Sequence, residues 1–516
     1  MPFELFLETF VPQMAQKVRQ TKLASWILET TGSKDAAALK ADLEVELSLL
    51  FSDKAVYDQL LAWDRDPALT DPLLKRQLNE LIRTFKSNMI PKELIEKISH
   101  AEAGLSLIYS HFRPTVDGKT FSENDIREVL KLENDVAKRK KVWDASKQIG
   151  KELAPHILNL VRLRNEAATS LGYPDYFTMQ LELQEVEEQV LLTTFEKLSH
   201  DSEAAYTTVL EQIEKSAAER FHVSQEEIGP WAWSEPFCQE DPLDSKELDQ
   251  LLEGVDIVHT SELFFQKMGL GVAEVLSRSD NYERPGKNQH AFCIHIDREG
   301  DVRVLNNVKP SIKWLETMLH ELGHAVYDLG CNHKLPWLLK NPPHMITTEA
   351  MALLAGRQAY RSATLDLLVG KDKASLKKKA EVSLQRRQLI FSRWVFVMTA
   401  FERELYKNPE QDLNALWWSL VEKHQKIRSS GSPSGCDWAA KYHIGLAPVY
   451  YFSYLMGELF ASSLEESIED FASEKTGRFL IEKVFFPGNT LPWSGLVTHA
   501  TGSPLSSKDW LKQFCS

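Results

Sequence analysis

Apolar residues recur at three- and four-residue spacing through most of this chain, and that helical period strongly limits the folds open to it. The pattern runs from about Glu4 to Leu61 with a break near Gly32, and again from Glu123 to Leu171. Residues at this spacing line one face of an α-helix, and such faces must pack together to leave water. The 516 residues, 43% of them apolar, suffice for a large core. The sequence therefore predicts a mainly α protein, with residues 1–516 forming a single helical body.

One segment departs from this pattern. Residues Gln289 to Val308 contain two short apolar runs around an Asp-Arg-Glu-Gly turn, which indicates a small β-hairpin. The edge of an isolated hairpin carries unpaired backbone groups, which can pair with an extended peptide. Two interpretations remain open at this point: a docking edge for a peptide, or a structural flap.

Composition narrows the class of protein. The formal net charge is −14, so we expect no nucleic-acid partner. No apolar run reaches the roughly 18 residues that span a bilayer, and the first residues do not resemble a secretory signal, so we expect no membrane association. The five cysteines are widely spaced and lack the paired spacing of metal sites, which is typical of reduced thiols in a cytoplasmic protein.

Residues 320 to 324 read His-Glu-Leu-Gly-His, inside a helix predicted from Lys313 to Leu329. His320 and His324 are one helical turn apart, so both rings project from one face. Two imidazole nitrogens placed in this way suit Zn²⁺, which takes histidine ligands at about 2.0–2.1 Å. Glu321 lies beside them and can act as general base on a zinc-bound water. The apolar neighbours leave few other partners for these polar groups. We therefore expect one zinc ion per chain.

A catalytic zinc site needs a third protein ligand and one open position. Glu349 follows the second histidine by 25 residues and begins a predicted helix, which Thr347 or Thr348 could cap. Crossing of the two helices would bring Glu349 to the metal. His333 and His344 are rival ligands in the intervening loop. A purely structural zinc site is less consistent with this residue set, because such sites usually close all four positions with Cys and His.

With these ligands, the chain resembles the gluzincin peptidases, in particular the angiotensin-converting-enzyme family and the thimet oligopeptidase and oligoendopeptidase family. The resemblance covers about Arg139 to Ser516. It implies a two-lobed helical peptidase with a deep central cleft that admits unfolded peptides, and with the hairpin beside the zinc helix. The first 120 residues match only in being helical. Residues 1–140 are expected to form a helical part that covers the cleft, and residues 141–516 the catalytic part with the zinc site.

Further segments resemble the converting-enzyme family. The pair His290 and Ala291 resembles its edge strand, which implies contacts with the bound peptide and favours the docking-edge interpretation. The Lys-x-His-Ile element implies that Lys441 binds a substrate C-terminal carboxylate. It also implies that His443 hydrogen-bonds the substrate or the tetrahedral intermediate. The tail from Leu491 resembles the family's Pro-Trp and Thr-Gly-x-Pro pattern.

The aromatic run Val449 to Phe460 resembles the tyrosine-bearing helix of both families. The oxyanion donor would be Tyr451 by the converting-enzyme pattern and Tyr454 by the oligopeptidase pattern, and either could instead be a core residue. Tyr450 replaces an arginine that binds chloride in the converting enzyme, which argues against chloride activation, and it is a substrate-binding candidate. Leu353 replaces an acid that supports a zinc-binding histidine, so that support must be built differently here.

The predicted function is therefore hydrolysis of short unfolded peptides by a zinc-bound water that Glu321 activates. The enzyme would be an oligopeptidase or a dipeptidyl carboxypeptidase. The nearest alternative is a helical Taq-type metallocarboxypeptidase, which releases single C-terminal residues. A remote alternative is an inactive homologue that only binds peptides.

Overall fold

The computed structural model describes residues 2–243, 246–429 and 435–516. Within these ranges the chain is predominantly helical, which confirms the mainly α prediction. The α-helices, in chain order, are α1 (Phe3–Thr31), α2 (Lys34–Phe51), α3 (Lys54–Asp64), α4 (Pro72–Asn88), α5 (Lys92–His111), α6 (Glu123–Leu132), α7 (Val136–Ser170), α8 (Tyr176–Leu183), α9 (Glu188–Asp201), α10 (Glu203–Phe221), α11 (Ile257–Lys267), α12 (Ala273–Arg278), α13 (Ile312–Gly330), α14 (Met345–Gly356), α15 (Ser362–Val369), α16 (Ala374–Lys407), α17 (Leu413–Gln425), α18 (Tyr442–Leu446), α19 (Phe452–Glu466), α20 (Glu474–Leu480), α21 (Trp493–Thr501) and α22 (Lys508–Phe514).

Four short strands form two antiparallel pairs in the described part of the chain. The strands are β1 (Thr115–Val116), β2 (Lys119–Thr120), β3 (Phe292–His295) and β4 (Val302–Leu305). β3 and β4 form the predicted hairpin, with His295 opposite Val302. The β1–β2 pair was not expected. Its turn contains Asp117 and Gly118, both with positive φ.

Capping residues set the helix boundaries and explain why the apolar period alone predicted too few helices. The pattern from Glu4 to Leu61 is divided twice. Gly32, at φ +66°, ends α1 as expected, but Asp53 also begins a new helix by accepting hydrogen bonds from the N–H groups that follow it. The single helix expected from Glu123 to Leu171 is likewise two helices, because Asp135 caps α7.

The chain folds into two compact units, each built from several separate segments. Unit 1 comprises Met1–Met89, Lys246–Glu381 and Met456–Asp509, and it contains the hairpin β3–β4, α13 and α14. Part of its core is an aromatic cluster, consisting of Phe3, Phe6, Phe10, Phe51, Trp63 and Phe85.

Unit 2 comprises Ile90–Ser245, Val382–Leu455 and Trp510–Ser516, and it contains the Lys-x-His-Ile element and the candidate tyrosines. Buried Arg139 ties its segments together by donating to four backbone carbonyls, those of Leu130, Glu133, Trp231 and Trp233. The expected division into residues 1–140 and 141–516 stays a prediction. None of the described helices is both long and apolar enough to cross a bilayer.

Candidate metal centre

The predicted zinc helix is α13, which starts where the Ser311 side chain accepts a hydrogen bond from the Trp314 N–H. Its apolar residues, including Leu315 and Leu322, are fully buried and hold the helix inside unit 1. His320 and His324 project from one face as predicted, with ring centroids 5.0 Å apart. Both histidine side chains are partly exposed, so this face of α13 is open enough for a small ligand to reach.

A close approach of α14 to α13 brings in the third candidate ligand. Gly323 permits this approach, because a Cβ there would lie 2.8 Å from Ala352 Cα and 3.0 Å from Met351 O. Gly457 in α19 lies against the other side of α14, where an added Cβ would be 3.2 Å from Glu349 Cβ. The glycine inside the His-Glu-Leu-Gly-His motif therefore serves helix packing.

The three predicted ligands converge. One ligand atom each from His320, His324 and Glu349 lie within 4.8 Å of one another, and His320 Nε2 is 3.7 Å from Glu349 Oε2. Ligand atoms around a tetrahedral zinc ion with bonds of about 2.0–2.1 Å are roughly 3.4 Å apart. Two neutral nitrogens and one carboxylate oxygen at this spacing fit Zn²⁺ with small side-chain adjustments.

The two alternative ligands, His333 and His344, lie elsewhere in the structure. His344 caps α14 by accepting a hydrogen bond from the Ile346 N–H at 2.9 Å. This corrects the expectation that Thr347 or Thr348 caps the helix; the Thr347 hydroxyl instead donates to the His344 carbonyl. Neither His344 nor His333 belongs to the metal-ligand cluster formed by the described residues.

Burial sets the protonation of the site. Desolvation lowers the pKa of His320 to about 4 and that of His324 well below its usual value, so both imidazoles are neutral, as metal ligands must be. Burial, and after it the nearby Glu349 carboxylate, raises the pKa of Glu321 to about 8. Burial thus disfavours the ionised form of this carboxyl group, and a cation bound by the three candidate ligands would favour it.

The support of the second histidine is built by a hydroxyl group. His324 Nδ1 lies 2.7 Å from Thr348 Oγ1. Thr348 directly precedes Glu349, so one turn of α14 supplies both a candidate ligand and a partner for another candidate ligand.

The hairpin contacts the candidate base directly. Just after β3, the Ile296 N–H donates to the Asp301 carbonyl, on the side of β4. Because the backbone groups of successive residues in a strand point to opposite sides, those of the odd-numbered residues in β3 point away from β4. Accordingly, the Cys293 N–H donates to the Glu321 carboxylate. His290 is exposed and Ala291 is half-buried just before β3, outside the metal cluster. The outer edge of β3 thus lies beside Glu321.

Unit 2 places other candidate residues in a second cluster. Lys441 Nζ donates to Gln239 Oε1 at 3.1 Å, and the Tyr451 hydroxyl donates to the same oxygen at 3.3 Å. The Lys441 ammonium lies over three aromatic rings at 5.0–5.4 Å, and burial lowers its pKa to about 8. Gln239 is positioned by Glu235, a buried acid that accepts from the Gln239 N–H. The cluster is a cationic donor site rich in aromatic groups.

His443 and the remaining tyrosines adjoin this cluster within unit 2. The His443 ring packs edge-on against Tyr451 at 4.8 Å, and burial, followed by Lys441, lowers its pKa to about 4. Its buried Nδ1 has no hydrogen-bond partner among the described residues. Tyr454 is partly exposed and packs against Tyr450 at 5.2 Å and Tyr451 at 5.5 Å. A neutral histidine and partly open tyrosines are potential hydrogen-bond donors to a ligand.

Two of these residues were missed in the sequence. Thr348 was considered only as a helix cap, although its position next to Glu349 was a usable signal once the two helices were known to cross. Gln239 is about 200 residues from Lys441 and lies in a non-repetitive segment, so no local pattern pointed to it.

Comparisons with known proteins agree with this geometry. The family model of peptidase family M3 matches residues 129–515, and that of angiotensin-converting enzyme matches residues 3–216. The chain is 22% identical to the angiotensin-converting enzyme of Mesocricetus auratus over 558 residues, which cover 97% of this chain and 41% of that protein. Against the enzyme of Oryctolagus cuniculus it is 22% identical over 510 residues, covering 89% of this chain and 38% of that protein.

The angiotensin-converting enzyme-like protein Ace3 of Mus musculus is 22% identical over 568 residues, covering 99% of this chain and 75% of that protein. The chain thus spans about two fifths of the length of the two converting enzymes. The resemblance inferred from the His-Glu-Leu-Gly-His helix and Glu349 is confirmed. Because its model covers most of the sequence, the chain belongs to peptidase family M3, a family of metallopeptidases.

Proposed function

We propose that this chain is a zinc metallopeptidase that hydrolyses short unfolded peptides, with His320, His324 and Glu349 as the metal ligands. The observation that carries the proposal is the convergence of these three donors within 4.8 Å, beside a buried carboxyl group that is not itself a ligand. Zinc bound there would act as a Lewis acid, polarising the scissile carbonyl and making a water more acidic.

Glu321 is the proposed general base. It takes a proton from the attacking water and passes that proton to the leaving amine. Zinc held by the three ligands would favour the ionised form of Glu321 against the effect of burial, so that the carboxylate could accept the proton. The Cys293 N–H faces the carboxylate and favours its ionised form, which partly offsets the effect of burial on its pKa. Loss of Glu321 should therefore abolish turnover without removing the metal ligands.

The outer edge of β3 is the proposed docking strand for the peptide backbone. The backbone groups of Ala291 point to the same side as those of Cys293 and are free of the ladder with β4. A peptide paired with this edge would run alongside Glu321. His290 is exposed at the start of the strand, where it can contact the substrate. This favours the docking interpretation of the hairpin over that of a flap.

The Lys441 cluster is the proposed site for a substrate C-terminal carboxylate. Lys441, Tyr451 and the Gln239 side-chain amide can together donate several hydrogen bonds to a carboxylate, and the aromatic surroundings strengthen such contacts by excluding water. For the oxyanion donor we propose His443 with either Tyr451 or Tyr454, and the contact of Tyr451 with Gln239 favours Tyr454. Tyr450 packs on Tyr454 and would contribute to the substrate surface.

The central experiment measures zinc content and cleavage of a quenched fluorescent peptide, with and without a chelator. Glu321→Gln should retain about one zinc per chain and lose nearly all turnover. The exposed acid Glu274, also in unit 1, provides a matched carboxyl-to-amide control, Glu274→Gln, which should cleave like the wild type. A zinc-loaded wild type that cleaves no peptide would support the inactive homologue, and full activity in Glu321→Gln would remove the proposed base.

A second experiment decides the mode of cleavage. Mass spectrometry of one peptide, free and C-amidated, distinguishes internal cleavage from release of single residues or of dipeptides. If Lys441 binds the terminal carboxylate, amidation and Lys441→Met should each raise KM, and amidation should have little further effect in the variant. Tyr454→Phe should lower kcat by about 10²–10³-fold, typical of a lost oxyanion donor, whereas Tyr451→Phe should act mainly on KM. The reverse result would exchange the two tyrosines.

A further inference from the structure

In a metal site, one nitrogen of an imidazole ring binds the metal, and the other carries a proton and makes a hydrogen bond. If His324 Nε2 is to offer its lone pair to a metal, Nδ1 must carry the proton. Thr348 Oγ1 lies 2.7 Å from Nδ1, close enough to accept that proton in a hydrogen bond. The opposite arrangement, in which the hydroxyl donates to Nδ1, would leave a proton on Nε2 and block the ligand.

The residues around His324 indicate that Thr348 accepts the hydrogen bond from Nδ1. The hydrogen-bond partner of His324 Nδ1 is the Thr348 hydroxyl group, and the position one turn after Glu349, where an acid could otherwise support the ring, is Leu353. Thr348 is in the first turns of α14, which the His344 cap and the close packing at Gly323 hold in place. The hydroxyl group is thus attached to the same rigid turn as Glu349.

We propose that Thr348 is a positioning residue, which selects the metal-binding tautomer of His324 and fixes the orientation of its ring. The inference rests on the proposed metal centre, but not on peptide cleavage. A hydroxyl group carries no charge, so it orients the ring without adding a negative charge to a site that already contains Glu321 and Glu349. Zinc affinity, rather than protein stability, should be most sensitive to this contact.

The test compares Thr348→Val, which keeps the shape and removes the hydroxyl, with Thr348→Ser, which keeps the hydroxyl. Zinc affinity is measured by competition with a chelator, and the visible spectrum of the cobalt-substituted protein reports the geometry of the site. We expect Thr348→Val to weaken zinc binding by about 10–100-fold and to change the cobalt spectrum, and Thr348→Ser to restore both to within about threefold of the wild type.

Thr347→Val is the matched control, since the neighbouring hydroxyl bonds to His344 O and not to a ligand. It should lower thermal stability while leaving zinc affinity nearly unchanged. Equal zinc affinity in Thr348→Val and the wild type would overturn the proposal, as would equal losses in the two valine variants. A wild type that binds no zinc would overturn it together with the metal centre. A zinc-binding wild type that cleaves no peptide would refute the proposed function alone and leave the comparison of Thr348 variants valid.

Discussion

Replacing Gly323 by alanine tests whether the spacing between α13 and α14 sets the position of Glu349. An added Cβ would lie 2.8 Å from Ala352 Cα, which is about 0.6 Å short of ordinary contact, and 3.0 Å from Met351 O. Both are backbone atoms, so α14 must move as a whole. On the far side of α14 there is little room, because Gly457 already lies close to Glu349.

The expected effects on stability and on metal binding differ in size. Overpacking of this kind costs about 1–3 kcal/mol, and the higher helix propensity of alanine offsets about 1 kcal/mol of that cost. The unfolding free energy of the metal-free protein should therefore fall by only about 0–2 kcal/mol. Zinc sites tolerate distance errors of about 0.2 Å, so a shift of about 0.6 Å at Glu349 should weaken zinc binding by roughly 10–100-fold.

The assay is chelator competition for zinc affinity, together with urea unfolding of the metal-free protein. Gly104→Ala in α5 is the matched control, because an added Cβ there meets nothing within 4 Å. That variant should be as stable as the wild type or slightly more stable, with unchanged zinc affinity. Wild-type zinc affinity in a folded Gly323→Ala protein would refute the argument that helix spacing positions the third ligand.

Further predictions concern packing and buried charge. Gly457→Ala should also weaken zinc binding, measured by the same competition, because its Cβ would press on Glu349; an unchanged affinity would contradict this. Burial raises the pKa of Glu402 to about 8, above its unfolded value, so its stabilising contribution is fully present below about pH 4.5 and is lost as the pH rises through about 8. Urea unfolding should therefore show a loss of up to about 1.4 kcal/mol per pH unit from this group, and Glu402→Gln should flatten the slope; an identical slope in the variant would exclude Glu402 as its source. Arg139→Met should lower the unfolding free energy by about 3–5 kcal/mol, because four carbonyls lose their charged donor; a loss below about 1 kcal/mol in denaturant would show that water replaces the guanidinium.

The sequence was most informative where a chemical pattern coincided with a helical period. The His-Glu-Leu-Gly-His helix was predicted from Lys313 to Leu329, and α13 runs from Ile312 to Gly330. The hairpin β3–β4 was also predicted at its observed place, where alternation and a turn signal occur together. The Asp117-Gly118 turn of β1–β2 is also a hairpin signal, and it was overlooked. The resemblance to the peptidase families followed from these two segments and Glu349, together with the Lys-x-His-Ile element, the aromatic run and the tail.

Features that depend on contacts between distant segments could not be predicted in this way. The break before α7 was missed because a single capping residue, Asp135, outweighs a continuous apolar period. The role of Thr348 depends on its distance from His324, which only the packing of the two helices defines. Gln239 joins the Lys441 cluster through tertiary structure alone.

The proposed chemistry depends on the binding of one zinc ion by His320, His324 and Glu349 together. Anomalous scattering at the zinc absorption edge, from crystals of the zinc-loaded protein, tests it most directly. We predict one strong peak per chain, about 2.0–2.2 Å from a ligand atom of each of the three residues. A peak bound elsewhere, or one from which Glu349 points away with no other acid in its place, would contradict it.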